Sequence, residues 1–159
     1  REQTPALQRA GVDSLPVNER CQPVRLASPG KPLYGGYMRF SQENIEGNSI
    51  SAFASGQVTV NGEAITTSVI VTPKCIIRDW LPAVFDEMEA SHMERFGQLD
   101  PEIILIGTGE TLRFPPASWT AAYLARGIGV EFMDTAAACR TYNVLLSEDR
   151  RVVAALLIG

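Results

Sequence analysis

EIILIGTGETLRFPPASWTAAYLARGIGVEFMDT, residues 102–135, decides the fold through its punctuation. Residues 102–106 form an apolar run that predicts a buried strand. The tandem Pro115-Pro116 leads into residues 117–126, which predict a helix, and Gly127 stops it. Proline at the entrance and glycine past the exit is the asymmetry expected of helix ends. Residues 129–132 predict a second strand, after which Asp134 or Thr135 caps a helix running to about Leu146. Residues 151–158 are strongly apolar and predict a last strand. The order is β-α-β-α-β, the pattern of an α/β layer, and periodicity alone reads it as parallel.

The turn Gly107-Thr108-Gly109 resembles a phosphate-cradling loop, and two fingerprints test it. A dinucleotide site needs a third glycine three residues after the second, opening a helix; Leu112 stands there, and Pro115-Pro116 delay the helix. A P-loop needs Gly-Lys-Ser/Thr, which is absent. The remaining reading is a strand-exit turn, where glycine allows unusual dihedrals and close backbone approach. Its place at the carboxyl end of a strand still keeps it a ligand-site candidate.

Upstream, Val58-Thr59-Val60, Asn61-Gly62 and the run 64–71 predict a β-hairpin, because Asn-Gly supplies the two positive φ angles of a type I′ turn. Pro73 ends the second strand, and Cys75-Ile76-Ile77 predicts another short one. Residues 79–100 place Asp86, Glu87, Glu89 and Glu94 among Leu81, Phe85, Met88 and Phe96. That mixture predicts one or two short helices with a solvated acidic face, the alternative being a face that recruits cations.

Residues 1–37 differ from the rest. They hold five of the ten prolines and no apolar periodicity, with five basic against three acidic residues. The remaining nine basic and fifteen acidic residues give 38–159 a net −6. The first segment reads as a disordered tail or non-native extension, and Met38 opens the expected single α/β domain, 38–159. The whole chain of 159 residues carries −4, which argues against a nucleic-acid binder working through a basic face. No apolar run reaches the ~20 residues that span a bilayer, and no basic-then-apolar signal opens the sequence. Three widely spaced cysteines, Cys21, Cys75 and Cys139, are not a disulfide framework and fit a reducing, cytoplasmic compartment. With His92 the sole histidine, no metal site or cofactor is expected.

The densest polar stretch is EFMDTAAACRTYN, residues 131–143. Thr135, Cys139 and Asn143 share one helix face by i, i+4 spacing, while Ala138 and Tyr142 share its neighbour. Ala136, Ala137 and Ala138 allow close helix–sheet approach. Cys139 is expected to pack rather than react, since no histidine lies nearby in sequence and cysteine is among the most buried residue types. Arg140 suits an ion pair or an external anion equally. Glu131 and Asp134 serve as an acid/base pair or, more simply, as pairing and capping groups. No Ser-His-Asp set can be assembled, so a catalytic residue is not assigned.

These same segments carry a resemblance. LIGTGETLRFPP, GIGVEFMDTAAACRTYNVLLSEDRRVVAAL and VNGEAITTSVIVTP, in that family's order of motifs, resemble the family of mitochondrial NADH dehydrogenase (complex I) assembly factor 3 and its bacterial relatives, from about Met38 onward. The resemblance implies a three-layer α/β fold on a mixed central sheet, with flanking helices and an additional N-terminal β-hairpin. It implies that the final strand inserts within the sheet, antiparallel to its neighbours. For the eukaryotic members it implies a non-enzymatic role in building a respiratory membrane complex. Its signature falls on Gly107, Thr108, Gly109, Glu131, Asp134, Thr135, Cys139, Arg140, Tyr142 and Asn143.

Two readings of function follow. The preferred one is a soluble, non-enzymatic accessory protein whose partner is another protein, such as a subunit of a membrane complex, with no nucleic acid and no membrane span. The alternative is an enzyme or sensor holding a small anionic or carbonyl-containing ligand in a crevice between the 107–109 loop and Arg140.

Overall fold

The structure is a computed structural model that describes the backbone of residues 22–23 and all of 46–78 and 80–159. The expected tail at 1–37 therefore lies outside the described residues, apart from Gln22–Pro23. Those two form β1, an antiparallel bridge to Cys75 and Ile76.

The chain next makes a three-stranded meander, β2 (Ile50–Ala54), β3 (Gln57–Val60) and β4 (Glu63–Ile65). Asn61 and Gly62 both take positive φ, 52° and 82°, as the hairpin reading requires. The single strand expected over 64–71 is corrected by the structure. It divides into β4 and β5 (Val69–Val71), which belong to different sheets. The break has a local cause: Ser68 is buried, its carbonyl accepts Trp80 N–H at 3.0 Å, and its hydroxyl donates to Ala83.

The large sheet adds β6 (Cys75–Ile77), β7 (Ile103–Gly107), β8 (Gly129–Met133) and β9 (Val152–Leu156), in the order β1-β6-β5-β9-β7-β8. β9 is inserted between β5 and β7, as the resemblance implied. Its direction is antiparallel to β5 and parallel to β7, so one neighbour follows the resemblance and the other follows the parallel β-α-β reading. Every residue of β9 is buried, which suits a central strand covered on both faces.

Among the described residues three helices complete the fold: α1 (Ala90–Glu94), α2 (Ala121–Ala125) and α3 (Thr135–Ser147). Short 3-10 turns flank them at Phe85–Glu87, Arg95–Leu99 and Ala117–Trp119. Asp86, Glu87, Glu89 and Glu94 are all exposed, as expected of a solvated acidic face. The sheet alternates with period two and feeds two cores. Leu105, Val152, Ala154 and Leu156 pack with the meander and with Tyr142 and Leu146 of α3. Ile104, Ile106, Val153 and Ala155 pack on the other face with Trp80, Met93, Phe96 and Tyr123. The result is the expected three-layer arrangement around a mixed sheet.

Candidate functional site

The 107–109 loop leaves β7 where α3 begins, and Thr135 joins the two. The Thr135 side chain is fully buried. Its hydroxyl donates to the Leu157 carbonyl at 2.7 Å and accepts Gly109 N–H at 2.9 Å. Its own N–H donates to the Gly109 carbonyl at 2.8 Å. Leu157 N–H closes the circuit on the Gly107 carbonyl at 3.0 Å, and Thr108 N–H donates to Met133 at 2.9 Å. One threonine thus ties together the carboxyl ends of β7, β8 and β9. The Thr108 and Gly109 amides, which a phosphate cradle would use, are spent inside this lock.

The loop then folds on Thr108. Its hydroxyl lies 2.7 Å from the Thr111 carbonyl and accepts Arg113 N–H at 3.1 Å. Gly109 takes φ 97°, a conformation that disfavours any residue with a side chain.

The remaining residues of the polar stretch face three ways. Asp134 caps α3, its carboxylate accepting Ala137 N–H at 2.8 Å. Tyr142 is buried and donates to the Asn48 carbonyl at 2.8 Å; burial holds its phenol well above the usual range. Cys139 is 5% exposed, and burial pushes its thiol up to about 12, against a smaller opposing pull from Arg140. Asn143 turns to the meander, where its amide accepts from Ile50 N–H and donates to Ile50 C=O, in the manner of a neighbouring strand. Glu131 and Arg140 are exposed, and neither carries an ion pair among the described residues. Gly107, Thr108, Gly109, Asp134 and Thr135 are therefore assembled as a unit. Cys139 and Tyr142 point into the core, and Arg140 lies elsewhere.

A groove of about 490 Å³ does open beside the loop. Thr108–Thr111 and Arg113 border it, with Val84, Phe85 and Asp86, the β2–β3 turn Ser55-Gly56, and Ile158-Gly159 as the other sides. Arg140 is not part of its lining. Arg113 bridges two sides: its guanidinium lies 2.7 Å from the Asp86 carboxylate and 5.1 Å above the Phe85 ring. Phe114 beside it is 72% exposed, Leu112 45% and Val84 37%. A further cleft of about 460 Å³ lies at the opposite ends of the strands, around Cys75, Leu146 and Val152. Sequence reasoning missed Asp86, Glu110, Arg113 and Phe114. The available signal was Leu112-Arg113-Phe114, two large apolar residues on a loop held extended by the prolines that follow.

Among the described residues no group of three or more His, Cys, Asp and Glu is placed to hold a metal ion. No described helix is long and apolar enough to cross a membrane.

A family model described as a protein of unknown function (DUF498/DUF598) matches residues 50–157. NADH dehydrogenase (ubiquinone) 1 alpha subcomplex assembly factor 3 of Xenopus tropicalis is 31% identical over 146 residues, 89% of this chain and 79% of that protein. Over the curated relatives it matches, the chain spans from about half to about four-fifths of their length. A crystal structure of a Bordetella parapertussis protein superposes with TM-score 0.66 at 35% identity, covering 71% of this chain and 97% of the other. A Xanthomonas campestris protein solved by NMR gives 0.65 at 38% identity, covering 77% and 93%.

Proposed function

This chain belongs to the DUF498/DUF598 family, that of NADH dehydrogenase assembly factor 3 and its bacterial relatives, and from that premise we propose that it is a protein-binding accessory factor in the assembly of a respiratory membrane complex. The names of its relatives support the assembly role, and subunits of an NADH dehydrogenase are the proposed partners. A cytoplasmic location is part of the reading; Cys75 and Cys139, both free and buried, support a reducing compartment.

The single observation that carries the binding role is Phe114. It is an aromatic ring 72% exposed on a loop whose backbone is anchored through Thr108 and Arg113. Large exposed apolar groups beside a groove mark interaction sites, and a loop ordered beforehand loses little entropy on binding. The test is capture from membranes of the source organism with tagged full-length protein. The expected result is recovery of an NADH dehydrogenase subunit with the wild type and its loss with Phe114→Ser. Recovery of no such subunit by the wild type sinks the proposal.

A further inference from the structure

The groove beside the 107–109 loop has unbalanced charge. Arg113, the one basic residue in its lining among the described residues, is already engaged by Asp86 and by the Phe85 ring. Glu110 lines the groove, and Glu87 follows the lining residue Asp86 in the Phe85–Glu87 turn; neither has a basic partner among the described residues. Each carboxylate is nevertheless held in place. Glu87 Oε2 accepts Ala83 N–H at 2.9 Å, and Glu110 Oε1 accepts the Ser55 hydroxyl at 2.5 Å. Val84 and Phe85 line the groove, and Leu112 and Phe114 flank its Arg113 in the chain; all four are exposed or half-buried.

We propose that this groove docks a segment of another protein that inserts an apolar side chain between the two loops and sets Lys or Arg against Glu87 and Glu110. The inference rests on the protein-binding reading above and specifies its chemistry. Burial of the apolar anchor supplies affinity, while the two fixed carboxylates select basic segments and reject acidic ones. The same field works against a small anion. It also works against a second copy of this chain, because a two-fold contact through this face would bring Glu87 and Glu110 of both copies together.

The test is NMR titration of the full chain with three synthetic peptides of equal length. One carries leucines flanked by lysines, one the same leucines flanked by glutamates, and one the lysines with serines in place of leucine. Only the first is expected to bind, with amide shifts confined to residues 84–87 and 108–114. The double variant Glu87→Lys/Glu110→Lys is expected to weaken it roughly tenfold and to admit the glutamate peptide instead. Both positions are exposed, so thermal unfolding of the variant checks that the fold survives. Equal binding of the leucine-free peptide, shifts spread to Glu89, Glu94 and Glu148, or no binding at all would overturn the inference. Membrane capture with the same variant separates the two levels. If wild type and variant recover the same NADH dehydrogenase subunit, the groove chemistry fails and the binding role stands. If the wild type recovers none, the binding role fails.

Discussion

Gly107 and Thr135 pack so closely that a β-carbon on the glycine would lie 2.9 Å from both the Cα and the Oγ1 of the threonine. The contact draws the start of α3 onto the end of β7, which is why the loop between them is structural first. Gly107→Ala is expected to destabilise the fold by about 2–3 kcal/mol, since backbone rather than a flexible side-chain end must yield. Denaturant unfolding checks it, and a change under about 0.5 kcal/mol contradicts the packing.

Thr135 carries the hydrogen-bond half of the same lock. Thr135→Val keeps the shape but leaves Gly109 N–H and the Leu157 carbonyl without that partner, at an expected cost of about 2–3 kcal/mol. Thr135→Ser keeps the hydroxyl and should lose less than half as much. Destabilisation by Thr135→Ser with none by Thr135→Val would instead assign the residue's role to its methyl group.

Cys139 and Tyr142 give the protein an alkaline weakness. Both groups ionise at higher pH in the folded state than in the unfolded chain, so above about pH 9 the unfolded state binds fewer protons. Their contribution is complete below the unfolded thiol value and declines as pH rises toward 12. Stability is expected to fall by at most ~1.4 kcal/mol per pH unit for each group. Cys139→Ala should flatten the decline between pH 9 and 11. Rapid alkylation of Cys139 at pH 7.5 in the folded protein would contradict its burial.

Asn143 occupies one position on the edge of β2 and so holds the meander to α3. Asn143→Ala is expected to cost about 1–2 kcal/mol and to raise hydrogen exchange at the Ile50 amide selectively. Uniform exchange across the meander would show that the bond is not local.

How much of this was legible in the sequence depended on range. The capped helices and the parallel strands announced themselves, because Asp134, Gly127 and the apolar alternation act within a few residues. The split of the run 64–71 was hidden, since each residue suits a strand and the break is imposed by Trp80 and Ala83 on Ser68. The depth of β9 was likewise nonlocal, though its uninterrupted apolar character fits it. In the candidate site, the loop was found but not the groove's other side. The buried set Thr135, Cys139, Tyr142 and Leu146 follows i, i+4, i+7, i+11, which turns Arg140 and Val144 outward. The groove instead gathers residues from chain segments near 55, 85 and 110, and no local pattern reports such a meeting.

The binding role is tested most directly by placing a photo-crosslinking phenylalanine analogue at position 114 or, as a control on α3, at position 144, in cells of the source organism. Both positions are exposed, at 72% and 56%. The expected result is a crosslink to an NADH dehydrogenase subunit from position 114 and none from 144. Equal crosslinking from both positions, or none from 114, would contradict a partner seated on this face.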